Sequence, residues 1–179
     1  ATTALGRTDD PIRRGGADRG DAVCVTGALG RSAAAIRAFE DGDAERGNEL
    51  FRFSPRVAAG IALRPYATAM MDSSDGLARS LHQLVEANDV SDLGVDITES
   101  YVPVADAVRE RFDDPEARRR AALFFGEDFE LVFTLASDDL KAAQAASPTP
   151  ISVIGNVTWD GVRMGGDPLP DRGYEHAGE

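Results

Sequence analysis

One cysteine, one tryptophan, two histidines and one lysine are all that 179 residues hold of four chemically prominent types. A lone cysteine excludes a disulfide within the chain and suits a reducing compartment, so a cytoplasmic protein is expected. Cys24 sits in the apolar run AVCVTG and is expected to be a buried small hydrophobe. His82 and His176, far apart in sequence, give with that cysteine no zinc centre and no histidine-based nucleophile triad. No apolar run reaches the roughly 18 to 20 residues that a membrane span needs, so no membrane association is expected.

Positive charge is the other shortage. Lys141 is the only lysine among 19 basic residues, against 31 acidic ones, for a formal net charge of −12. Such a surface repels phosphate backbones, so nucleic acid is not an expected partner. Near-absence of lysine with excess aspartate looks like adaptation to high salt; an arginine-favouring, GC-rich genome is the alternative source of the same bias.

The rest of the chain patterns as one domain over residues 1–179, without linker or repeat. Strands are expected at AVCVTG (22–27), YATAMMD (66–72), LGVDIT (93–98) and DFELVFTL (128–135). ISVIGNVT and GVRM are expected as a final hairpin turning at Asp160–Gly161. Helices are expected over 29–40, after Pro55, after Asp72, as a pair within 103–124, and over 137–146 with Ser137 as N-cap. Leu77, Leu81, Leu84 and Val85 mark an apolar helical face. DGDAERGN between Glu40 and Glu49 reads as a polar loop. Strands alternating with helices, together with hairpin signals, predict an α+β fold, a mixed sheet with helices packed on it.

Four motifs carry chemistry. MDSSDGL (71–77) places Asp72 and Asp75 at a strand-to-helix junction, with Ser73 or Ser74 as the natural cap. Hard carboxylate oxygens there suit Mg²⁺, which keeps several waters and binds through one or two carboxylates plus phosphates. Acids are also favoured in a first helical turn by the dipole alone. FFGEDFELVFT (124–134), with Phe129, Leu131 and Phe133 expected on one face of its strand, can present a carboxylate at the strand mouth, or is an acidic loop ending on a core strand. RRGGA (13–17) sets two arginines beside glycines that allow close backbone approach to an anion, or is an exposed basic turn. PDRGYEHAGE (170–179) offers an aromatic near the terminus, or a frayed tail.

Taken in order, TALG, RRGGADRGDAVCVTGALGRSAAA, FRFSPRV, ATAMMDSSDGLARSLHQLVEAN, GEDFELVFT, VIGNV and PLPDRGYEH resemble thiamine-monophosphate kinase. The resemblance implies a layered α/β/α domain like the C-terminal domain of aminoimidazole ribonucleotide synthetase, with the N-terminal metal-binding domain absent. It implies ATP as co-substrate, Mg²⁺ as cofactor, thiamine phosphate as acceptor and a homodimer for the complete protein. It places metal ligands on Asp72 and Asp75, nucleotide contacts on Arg14 and Ser74, and substrate contacts on Asp128 and Tyr174. Gly15 stands where the family has a serine, Phe125 where it has a glycine, and Ala177 where it often has an aromatic. Other readings are a different ATP-dependent synthetase of the same superfamily, or a non-catalytic ligand-binding domain.

Overall fold

The computed structural model describes residue 3, residues 5–88 and residues 92–174. His176 and Ala177 lie outside the described residues. Seven strands form one sheet: β1 (Ala22–Thr26), β2 (Ala67–Asp72), β3 (Leu93–Ile97), β4 (Leu131–Leu135), β5 (Ile151–Trp159), β6 (Gly161–Met164) and β7 (Asp167–Pro168). Their order is β2-β4-β1-β5-β3-β6-β7. Every neighbouring pair is antiparallel except β3–β6, which makes the sheet mixed. Around it lie α1 (Arg31–Glu40), α2 (Ala44–Phe51), α3 (Val57–Leu63), α4 (Leu77–Glu86), α5 (Asp106–Arg111), α6 (Pro115–Leu123) and α7 (Leu140–Ala146).

β1 shows why three layers form. All five of its residues are buried, the pattern of a strand covered on both faces. Val23 and Val25 join Leu77, Leu81 and Leu84 of α4 in one cluster. Cys24 faces the other way, among Leu63 of α3, Phe133 of β4 and Ala143 of α7. Burial pushes its thiol up to about 12, so it is an inert core residue, as expected. α1, α2 and α5 add a satellite cluster in which Ala33, Ala34, Leu50 and Val108 meet Ala121 of α6. No helix among the described residues is long and apolar enough to cross a membrane.

Three expectations fail locally. The segment 41–48, read as a loop, forms most of α2 because Asp43 accepts a hydrogen bond from the Arg46 N–H (3.2 Å) and caps the helix. β4 starts at Leu131 and not at Asp128, because Glu127 and Phe129 hold positive φ values of 67° and 53°. The final hairpin does not exist. β6 pairs in parallel with β3, not with β5, and β3 lies between them. The chain curls around the start of β3 at Asp160, whose N–H donates to the Asp92 carbonyl (3.2 Å). A Cβ on Gly94 would collide with the carbonyls of Trp159 and Gly161, so only glycine admits this turn. Ser137 opens a short 3₁₀ turn, and Asp139 takes the cap position of α7.

Candidate functional site

The MDSSDGL segment leaves the sheet at Asp72, the last residue of β2 and an exposed one. Asp75, half-buried, lies in the connecting loop two residues before α4 and not within its first turn. Neither serine caps the helix. Gly76 takes the cap position at φ 102°, a conformation that favours glycine, and no side chain caps the first N–H groups of α4. Ser73 is buried, and Ser80 donates back to its hydroxyl (3.3 Å) and to the Gly76 carbonyl (2.9 Å). The helix therefore begins with free donors, the arrangement that receives an anion.

Backbone bonds fasten three of the four motifs together. The Ser73 N–H donates to the Glu130 carbonyl (2.7 Å) and the Phe129 N–H to the Ser73 carbonyl (3.1 Å). The Glu127 N–H donates to the Ser74 carbonyl (2.7 Å), and the Tyr174 N–H to the Asp75 carbonyl (3.0 Å). A Cβ on Gly126 would strike the Ser74 carbonyl, and one on Gly173 the Asp75 carbonyl, so both glycines serve this close approach. Residues 169–174 of the terminal segment are docked on this junction. Leu169 is buried and its carbonyl accepts from the His82 Nε2–H at 2.9 Å, and Arg79 pairs with Asp171 (3.1 Å). Tyr174 reaches the loop with its ring largely exposed.

The structure redirects Asp128. It is 5 % exposed, and its carboxylate accepts from the Gly30 and Ser32 N–H groups at the start of α1, the latter at 2.9 Å. The Ser32 hydroxyl donates to the Glu127 carbonyl (2.7 Å) and completes the clasp. Burial raises the Asp128 pKa, and the backbone donors oppose that rise. Asp128 is thus committed to a helix N-terminus, while its neighbour Glu127 is exposed beside Ser74. Phe129, expected on the face of Leu131 and Phe133, instead stacks on Phe53 with centroids 4.6 Å apart.

Arg14 is exposed on a segment that follows the free edge of β2, where the Met70 N–H donates to the Arg13 carbonyl (2.9 Å). The adjacent glycines serve packing. A Cβ on Gly15 would meet the Ala87 carbonyl and one on Gly16 the Thr68 carbonyl, and Asn88 Oδ1 accepts from the Gly16 and Ala17 N–H groups. Sequence reasoning missed Arg56, Thr26 and Glu130. Glu130, almost fully buried, accepts two bonds from Arg56 and one from Thr26, each at 2.6 Å. An arginine in FRFSPRV and an acid on the inward face of a core strand were the available signals.

Asp72 and Asp75 provide hard oxygen donors, and no three His, Cys, Asp or Glu side chains among the described residues gather tightly enough to hold a metal ion. Two carboxylates fit a Mg²⁺ ion that takes its remaining ligands from water and phosphate.

No protein-family model matches the chain. A thiamine-monophosphate kinase of Halobacterium salinarum is 53% identical over 178 residues, covering 98% of this chain and 60% of the relative. That of Escherichia coli K12 is 36% identical, covering 92% and 55%. The crystal structure of the kinase from Stenotrophomonas maltophilia superposes with a TM-score of 0.77 at 30% identity, covering 87% of this chain and 53% of that one. AaThiL complexed with AMPPCP and TMP superposes with a TM-score of 0.78 at 25% identity, covering 94% and 55%. Escherichia coli HypE, a hydrogenase maturation protein, shares the fold at 21% identity and a TM-score of 0.66, covering 96% and 55%. Over nearly its whole length the chain is homologous to thiamine-monophosphate kinases, and it spans between about half and three-fifths of each.

Proposed function

We propose that this chain forms one side of an active site that transfers the γ-phosphoryl group of ATP to thiamine phosphate, giving thiamine diphosphate and ADP. The observation that carries the reading is the junction of Asp72, Ser74 and Asp75 with the 126–129 loop and Tyr174, held by backbone bonds around an uncapped helix start. The sequence of a Halobacterium kinase at 53% identity and a neighbour bound to AMPPCP and TMP support it. In this reading a phosphate oxygen of the acceptor attacks the γ-phosphorus, and the bond to the β,γ-bridging oxygen breaks. The attacking oxygen is already ionised at neutral pH, so no general base is needed, and the bridging oxygen leaves with the ADP. Catalysis rests on positioning and charge neutralisation.

Asp72 and Asp75 would hold Mg²⁺, which when bound offsets the charge of two anionic substrates that an acidic protein repels. Ser74 and the free N–H groups of α4 contact the nucleotide phosphates, and Arg14 contributes from the edge of β2. Tyr174 lines the acceptor side. In the 126–129 loop the accessible carboxylate is Glu127 and not Asp128, so Glu127 takes the substrate contact and Asp128 holds the loop. The complete protein would be a cytoplasmic homodimer in which this chain is the C-terminal of two domains, with further metal ligands supplied by the other.

The test is formation of thiamine diphosphate from ATP, Mg²⁺ and thiamine phosphate by the protein carrying both domains. Asp75→Asn is expected to leave the melting temperature nearly unchanged and to lower turnover by orders of magnitude. Near-normal turnover of that variant at saturating Mg²⁺ removes the metal assignment, and no product from the unmodified protein removes the function.

A further inference from the structure

The proposed reaction leaves one buried charged cluster unused. The Arg56 guanidinium donates through Nε and Nη2 to the two oxygens of Glu130, both at 2.6 Å. The Thr26 hydroxyl donates to the same carboxylate at 2.6 Å and accepts from the Leu131 N–H at 2.9 Å. A Cβ on Gly27 would fall on the carboxylate, so the end of β1 is shaped around it. The pair is screened from water, with side-chain exposures of 20% and 6%. A buried pair of this kind adds little net stability over apolar side chains of equal volume, because both charges are desolvated. Its worth must be sought in what it fixes.

What it fixes is the end of β2. The Glu130 backbone carbonyl accepts from the Ser73 N–H at 2.7 Å. Leu131 stands opposite Asp72 in the strand register. The carboxylate, the Thr26 hydroxyl and the Leu131 N–H thus form one unbroken chain to the residue pair that ends at Asp72. A second fastening lies three residues before Arg56, where Phe53 stacks on Phe129. The 53–56 segment therefore grips residues 129 and 130 at two points, directly behind the loop that carries Asp72, Ser74 and Asp75.

We infer that Arg56 and Glu130 are a positioning pair that sets the height and direction of the Asp72–Asp75 loop. This rests on the reading of that loop as the metal and nucleotide site, and the test separates the two. Arg56→Met alone leaves a buried carboxylate without its cation and is expected to destabilise the chain. Arg56→Met with Glu130→Leu replaces the pair by apolar groups and is expected to recover the melting temperature. In that double variant the Ser73 and Leu131 amides should exchange with solvent at least about tenfold faster, since their acceptors are no longer held. Affinity for AMPPCP in the presence of Mn²⁺ should fall by ~10–100-fold, the usual cost of losing groups that orient metal ligands.

A double variant that recovers stability, amide protection and AMPPCP–Mn²⁺ affinity together would reduce the pair to a structural element and overturn the inference. Faster exchange at Ser73 with no AMPPCP–Mn²⁺ binding by the unmodified chain would sustain the positioning of the loop while removing its reading as a nucleotide site. Unchanged exchange overturns the inference whatever the ligand result.

Discussion

Asp128 and Glu127 are adjacent acids with opposite fates. Both carboxylate oxygens of Asp128 are engaged by the start of α1, so it acts as an N-cap borrowed from another part of the chain. Asp128→Ala should cost about 1–2 kcal/mol, as cap deletions do, visible as a fall of a few degrees in the melting temperature, whereas Glu127→Gln should leave it unchanged. A pH test follows from the raised pKa of Asp128. A group raised in the folded state contributes stability that is full below its unfolded pKa and is lost as pH rises through the folded value. Asparagine cannot titrate. The stability gap between the native chain and Asp128→Asn, read by urea unfolding at fixed salt, should therefore be wider near pH 4 than at pH 7. A gap that widens with pH would contradict the burial argument. The sequence singled out the motif that packs beside Ser73 and Ser74, but not the commitment of Asp128 to the start of α1. A strand's alternation was expected to run through 128–135, and two left-handed residues, Glu127 and Phe129, break it. Their conformation is imposed by contacts to Ser73 and Ser74 more than fifty residues away, which no local pattern carries.

At the level of elements, what was legible follows how local the cause is. β1 and α4 rest on apolar periodicity and were readable, and a helix pair within 103–124 was expected without the Asp114 cap and Pro115 that set the start of α6. α2 was not, because its length is sustained by a cap and by ion pairs to another helix. Arg46 bridges Glu49 and Glu110, and Arg111 bonds Asp43. The position of β6 beside β3 was also hidden. Asp160–Gly161 is a turn in either topology, and only the collision at Gly94 shows that the chain must wrap around β3. Asp43 gives a prediction here. Its pKa is lowered chiefly by the Arg111 hydrogen bond and then by the Arg46 N–H. A lowered carboxylate contributes stability that is present above its unfolded pKa, near 3.8, and is lost as pH falls through the folded value. Asp43→Ala should reduce the protection of the α2 amides at pH 7 and make no difference once pH is well below 3.8. Hydrogen exchange along residues 44–51 is the measurement. Unaltered protection at pH 7 would mean that packing on α1 alone holds the helix.

The whole molecule carries a charge imbalance that its ion pairs cannot cancel. Were every one of the 19 basic residues matched with an acid, 12 negative charges would remain. Most of the pairs that do form are exposed, such as Arg37–Glu40 and Arg109–Asp106, and each is worth about 0–1 kcal/mol. Salt weakens these pairs and also weakens the repulsion among the unmatched acids, so the two effects oppose each other. The repulsion should win. It acts among all the acids over a Debye length of about 30 Å at 0.01 M salt, comparable to the molecule itself, and is confined to about 3 Å at 1 M. The exposed pairs are individually weak and act only at close range, and the buried Arg56–Glu130 pair is shielded from ions. The melting temperature should accordingly climb as KCl rises from dilute to molar, by about 2–4 °C for each kcal/mol of repulsion relieved in a chain of this size. KCl is the salt to use, since sulfate would strengthen apolar burial for unrelated reasons. A melting temperature that is flat or falls with KCl would show that pairing outweighs repulsion and that the acidic surface is no adaptation to salt.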